Sequence, residues 1–328
     1  METDKAAEFS KKGDEFYGKG DYDSAVKYYK RAVALDPAKP GNHFGLGLAF
    51  FHRGDADQAQ GCFKRTLKLV PDFTEALYYQ ARCLEKTGNP GEAVDLYLKY
   101  LAENPSDAKT FNRLGLTYFR IEDVKNAEAY LKKAVDAKAA TQSTYFTLGV
   151  INEKTGKWEG ALAFLEEASK IKTDTPGVWY HKGLCHLRLG QNDKALPCFE
   201  RELQYNPKNE NALYSMGVIL SETEKYPEAI RAFNETLILD PGRVDALVAR
   251  GNVYANIMQF DRAVDDFHAA LDVDDTYLPA YENLGLLFRL NEQPREAMDY
   301  YEAAYKLKES ERIAKIINEI RIDIETGM

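Results

Sequence analysis

Residues 244–277 read VDALVARGNVYANIMQFDRAVDDFHAALDVDDTY, and this stretch decides the fold. Leu247, Arg250, Gly251 and Tyr254 lie three or four residues apart, which places them on one face of a helix. Ala263, Phe267 and Ala270 make the facing stripe of a second helix. A hydrogen at Gly251 and a methyl at Ala263 let the two backbones approach closely, and the ring of Phe267 fills the space beside them.

Stepping outward by 34 residues finds the same arrangement along the whole chain. The alanine recurs as Ala25, Ala59, Ala93, Ala127, Ala161, Ala195, Ala229, Ala263 and Ala297, with no insertion or deletion. The small residue recurs as Gly13, Gly47, Ala81, Gly115, Gly149, Gly183, Gly217, Gly251 and Gly285. The large apolar residue recurs as Tyr29, Phe63, Tyr97, Leu131, Leu165, Phe199, Phe233, Phe267 and Tyr301. Glycine stands at the turn between the helices in Gly20, Gly54, Gly88, Gly156 and Gly190, where a helix end needs a left-handed residue. Pro37, Pro71, Pro105, Pro207 and Pro241 stop the second helix, and Pro90 and Pro294 sit where one begins.

These residues carry a resemblance to the tetratricopeptide-repeat (TPR) family, whose unit is a 34-residue helix–turn–helix. Counted from Ala6, nine units run 6–39, 40–73, 74–107, 108–141, 142–175, 176–209, 210–243, 244–277 and 278–311. Residues 1–5 form an N-terminal extension. Residues 312–328 carry Ile313, Ile316, Ile317, Ile320 and Ile324 on one helix face, which reads as a C-terminal capping helix, while a dimerising or partner-binding helix stays open. The resemblance implies an all-α fold: a right-handed superhelical solenoid of antiparallel helix pairs. Ala139, Thr173, Asp275 and Glu309 replace the terminal proline, and Glu122, Glu224, Met258 and Glu292 replace the turn glycine. The departures at Ala139 and Thr173 flank the fifth unit, where the softest unit interfaces are expected.

Composition bounds the function. The 328 residues carry 43 Lys+Arg against 52 Asp+Glu, a net charge of −9, which argues against general nucleic-acid binding. No apolar run is long enough to span a membrane, and the first residues have no signal-peptide character, so the expected location is cytoplasmic. Cys62, Cys83, Cys185 and Cys198 include no C-x-x-C pair and read as buried thiols in a reducing compartment. His43, His52, His181, His186 and His268 are scattered and read as packing or surface residues, so neither a metal site nor a cofactor is expected. No nucleotide-binding, nucleophile-elbow or zinc-protease motif occurs, and the repeats leave no separate catalytic domain; the chain is not expected to be an enzyme.

Resemblance to the family further implies that the first helices line a concave ligand groove. Along it, Lys86, Arg120, Lys154 and Arg188 occupy one column in four consecutive units, joined by Arg82, Lys109 and Arg113. Tyr78, Phe146 and Tyr180 interleave with them, and Phe119 extends the apolar surface. Residues 210–311 hold 20 acidic against 9 basic residues, leaving 34 basic against 32 acidic elsewhere. A basic groove in an acidic protein focuses its field inward and selects an acidic peptide, held by exposed ion pairs of about 0.2–1 kcal/mol each. The expected function is thus a protein-binding scaffold or adaptor, with a second, basic partner possible at 210–311 and self-association open. The rivals are a structural subunit bound through its convex face and a polyanion- or RNA-binding solenoid. The five-residue clamp by which some relatives hold chaperone C-termini is matched only at Lys109 and Arg113, with Tyr79, Phe44 and Leu48 against it, and the asparagine ladder of other relatives is absent.

Overall fold

The computed structural model describes residues 2–172 and 175–326, and every element among them is a helix or a turn. The chain divides into two compact units, Met1–Thr173 and Asp174–Met328. The N-terminal unit contains α1 (Glu2–Gly18), α2 (Tyr22–Leu35), α3 (Pro40–Arg53), α4 (Ala56–Leu69), α5 (Thr74–Lys86), α6 (Pro90–Glu103), α7 (Ala108–Arg120), α8 (Val124–Asp136), α9 (Gln142–Lys154) and α10 (Trp158–Ile171). The C-terminal unit contains α11 (Val178–Arg188), α12 (Asn192–Tyr205), α13 (Glu210–Glu222), α14 (Tyr226–Leu239), α15 (Val244–Asn256), α16 (Phe260–Val273), α17 (Leu278–Leu290), α18 (Pro294–Leu307) and α19 (Glu311–Thr326). α1 begins at Glu2, within the stretch read as an N-terminal extension.

The seam inside each pair is what the recurring columns encode. All nine recurring alanines are completely buried, and the large residues opposite the glycines range from Phe63 at 0% exposure to Tyr301 at 4%. The fit leaves no slack: a Cβ built on Gly251 would meet Phe267 Cε1 at 2.6 Å, and one on Gly115 would meet Leu131 Cγ at 2.6 Å. Sequential helices therefore pack at backbone-limited distance, as small-against-large helix surfaces require.

Odd-numbered helices also touch one another, α1 with α3, α3 with α5 and α7 with α9 in the N-terminal unit, whereas no even-numbered pair packs to the same extent. Within each unit the odd helices therefore form the inner side of the stack. α13 with α15 and α15 with α17 repeat the arrangement in the C-terminal unit.

The departures from the repeat have local remedies. Glu122, Glu224, Met258 and Glu292 adopt φ of 62°, 59°, 62° and 57°, the left-handed conformation that the glycines adopt at the other turns. Where Ala139 stands instead of proline, Lys138 turns left-handed at φ 56° and ends α8, and a Thr141–Thr144 capping box opens α9. α8 and α9 touch more sparingly than any other sequential pair of that unit, in keeping with the soft interface expected there. Thr173 lies outside the described residues. Across the start of α11, the buried carboxylate of Glu202 accepts hydrogen bonds from the Gly177 and Tyr180 amides at 2.9 and 3.3 Å, and from Asn209 Nδ2 at 3.0 Å. α19 lays Ile313, Ile317 and Ile320 against Ala297, Tyr301 and Ala304 of α18, with Ile316 and Ile324 half-buried at the edge.

Candidate functional site

The inner face of the N-terminal unit is built on α3, α5, α7 and α9. Residues four apart on α5, Arg82 and Lys86, point the same way, and both converge on one ring of α3. Arg82 Cζ lies 4.5 Å from the centroid of Phe51, and Lys86 Nζ also lies 4.5 Å from it. The Arg82 guanidinium is 5.8 Å from Tyr78 and from Tyr79. Among the described residues neither cation forms an ion pair, and both lie on aromatic faces. Two units further on, Lys154 Nζ lies 5.9 Å from Phe119. Lys109 and Arg120 are exposed and make no ion pair among the described residues, and Phe146 is half-buried. Tyr180 and Arg188 belong to the C-terminal unit, with the Tyr180 ring 6.0 Å from Phe199 and Arg188 exposed.

Arg113 behaves differently from the other basic residues of the expected site. Its Nε donates to the Tyr78 hydroxyl at 3.2 Å, and its NH1 group donates to Glu85 Oε2 at 3.3 Å. Glu85 also accepts from the Tyr97 hydroxyl at 2.8 Å and from Thr117 Oγ1 at 2.7 Å. Burial opposes the Arg113 charge, and Tyr78, Tyr97 and Glu85 outweigh it, holding the guanidinium above its ordinary value. Burial first, then Glu85, pushes the Tyr97 phenol well up, so it remains a donor. Arg113 is thus a partnered member of a core-edge network, and its charge is largely spent on Glu85. The sequence signal missed was Glu85, which lies 28 residues from its partner.

His52 joins the inner face. It occupies the same column as Lys86, Arg120, Lys154 and Arg188, one unit earlier. Its ring stacks on Tyr22 at 5.6 Å and meets Tyr17 and Phe51 edge-on at 5.6 and 5.4 Å. Partial burial first, then Arg82 and Lys86, hold its imidazole below the ordinary value. His43 Nε2 lies 2.9 Å from the Pro37 carbonyl, and His268, though exposed, has its Nε2 2.9 Å from the Tyr300 hydroxyl.

The C-terminal unit offers a second surface. Between α15 and α17 lies a cavity of about 600 Å3 lined by Asn252, Ala255, Met258, Phe260, Leu286 and Leu290 among others. Met258 and Leu290 are 72% and 68% exposed there, and Asp261 and Asp265 line the cavity beside it. Among the described residues no group of His, Cys, Asp and Glu could hold a metal ion, and no helix is long and apolar enough to cross a membrane.

Helix pairs stacked on a small-against-large seam, with side chains presented along the odd helices, define a helical-repeat scaffold. Family models agree: one described as a tetratricopeptide repeat matches residues 53–108, 180–244 and 248–311, and one described as a TPR repeat matches 13–54. The chain belongs to the tetratricopeptide-repeat family, whose members are in general non-catalytic scaffolds that bind protein partners. A further model, described as anaphase-promoting complex, cyclosome, subunit 3, matches 120–202. A TPR repeat-containing protein of Methanocaldococcus jannaschii is 26% identical over 159 residues, 45% of this chain and 28% of that protein. The human protein O-mannosyl-transferase TMTC3 is 28% identical over 137 residues, 40% of this chain and 15% of that protein. The chain thus spans less than a third of the length of these curated relatives. The C-terminal part of a TPR repeat-containing protein from Cytophaga hutchinsonii shares the fold, with a TM-score of 0.60 at 17% identity over 73% of this chain and 98% of that one.

Proposed function

We propose that this chain is a non-catalytic adaptor that holds an acidic peptide segment of a partner protein against the inner face of its first helices. The observation that carries the reading is the set of cations without carboxylate partners on that face, Arg82, Lys86, Lys109 and Arg120, set among Phe51, Tyr78 and Phe119. Such a surface attracts acidic chains at long range and gives their apolar side chains rings to pack on. The reading extends to Arg188 and Tyr180 of the C-terminal unit by their place in the same repeat columns. Burial raises the thiols of Cys62 and Cys83 to about 11 and about 12, so they stay protonated.

A fluorescent oligoglutamate peptide titrated into the protein tests this. Lys109→Gln/Arg120→Gln removes two exposed charges and leaves the fold stable to within about 0.5 kcal/mol. Affinity falls by about 2- to 30-fold, the sum of two exposed ion pairs. Equal affinity for variant and wild type sinks the placement. Equal competition by RNA and by heparin would favour the polyanion-binding reading instead. Arg113 is left intact because removing it strands Glu85.

A second reading rests on the C-terminal unit. Asp261 and Asp265 make no ion pair among the described residues and flank the cavity under Met258 and Leu290, an arrangement suited to a basic segment with an apolar anchor. With both surfaces occupied the chain would bridge two proteins.

A further inference from the structure

Three groups able to carry positive charge meet over one ring on the inner face of the N-terminal unit. Arg82 and Lys86 of α5 each lie 4.5 Å from the Phe51 centroid, and the imidazole of His52 lies 5.4 Å from it. Phe51 itself is 4% exposed, whereas His52 and Lys86 are open to solvent. The groups facing His52 are Tyr17 from α1, Tyr22 from α2, and Tyr79, Arg82 and Lys86 from α5. No carboxylate is among them. The nearby Asp23 and Asp55 are engaged by Arg53, at 3.1 and 2.5 Å. A cluster of cations held together without a counter-anion is electrostatically unfavourable, and the aromatic floor offsets only part of that repulsion.

We propose that His52, Arg82 and Lys86 form a pocket for a carboxylate of the bound segment, and that filling it loads a proton onto His52. This rests on the reading that an acidic segment occupies the inner face, and it adds where that segment anchors and what controls it. In the unfilled pocket, partial burial and then the two neighbouring cations keep the imidazole below its ordinary value. A carboxylate set between them cancels the second cause and favours the imidazolium. The sign follows by linkage: the bound state takes up a proton that the empty state does not, so binding tightens as pH falls through the range between the two titration midpoints. The pocket is therefore a pH-responsive anchor, gripping harder in a mildly acidic setting.

The probe is an acetylated, amidated hexaglutamate peptide, with hexaglutamine as its uncharged control. With histidine labelled for NMR, the His52 resonance is assigned by its loss in His52→Gln and titrated with and without the peptide. The expected result is a midpoint about one pH unit higher in the complex, since an opposite charge within reach moves a titration by about 1–3 units. Binding to wild type is then about tenfold tighter near pH 5.5 than near pH 7.5. In His52→Gln that pH dependence disappears, and in Arg82→Gln/Lys86→Gln affinity is reduced at both pH values while the circular dichroism is unchanged. If hexaglutamate binds but neither variant alters its affinity or pH profile, the pocket is wrong and the acidic segment lies elsewhere on the inner face. If it binds at neither pH, both this inference and the acidic-segment reading fall.

Discussion

A hydrogen at Gly251 and a ring at Phe267 are two halves of one contact, and the same contact holds every helix pair together. Its counterpart in the third pair is Ala81 against Tyr97, where the added methyl is tolerated and both residues remain fully buried. Elsewhere the contact is too close for a Cβ, as the 2.6 Å approach at Gly251 shows. Gly251→Ala is therefore expected to cost about 1–3 kcal/mol through overpacking, read as a lower urea midpoint at unchanged slope. An unchanged midpoint would mean that Phe267 can move aside. These seam residues were legible in the sequence because a local contact repeated nine times leaves nine aligned columns. The left-handed backbone at Glu122 was not. There the chain reads as a departure from glycine, while the turn is held by hydrogen bonds from the Glu122 N–H to the Phe119 carbonyl and from the Asp123 N–H to the Tyr118 carbonyl, at 3.1 and 3.0 Å.

At the scale of the element, each helix is held by its neighbours in the stack, and α19 packs its apolar face mainly on α18. α19 buries Ile313 and Ile320 to within 1% of complete, against α18. Its far side is tied by Arg289 of α17, which reaches Glu319 at 3.3 Å and Asp323 at 3.7 Å, and by the Arg312–Glu282 pair. Ile320→Ala should cost about 2–4 kcal/mol, and nearest-neighbour stacking confines the effect. Hydrogen exchange is expected to accelerate in α17, α18 and α19 and to stay unchanged in α1 to α4. Faster exchange throughout would show that the stack behaves as one cooperative block. The amphipathic spacing of the isoleucines made this helix readable in advance. The candidate site was readable only in part, because its chemistry depends on which inner-face residues meet across helices. Arg113 joins the basic set one helical turn beyond Lys109, yet Glu85, on the preceding odd helix, takes its charge at 3.3 Å. His52 belongs to the same column as Lys86, but an isolated histidine carries no sign of the two cations folded against it.

On the scale of the whole chain, charge is distributed unevenly. Residues 210–311 carry 20 acidic against 9 basic side chains, while the remainder is close to balanced. The inner face of the N-terminal unit presents Arg82 and Lys86 on the Phe51 ring, and the C-terminal unit presents a cavity beside Asp261 and Asp265. Under the proposed function these two different faces would address two partners, while the buried carboxylate Glu202 is committed to the start of α11. The central claim is that ligand lies along the odd helices. It is tested most directly by an oligoglutamate peptide bearing a photoreactive benzophenone, crosslinked to the protein and mapped by mass spectrometry. Crosslinks are expected on α3, α5 and α7, concentrated near Phe51, Tyr78 and Phe119. Crosslinks confined to the even helices α4, α6 and α8 would place binding on the opposite face and contradict the account.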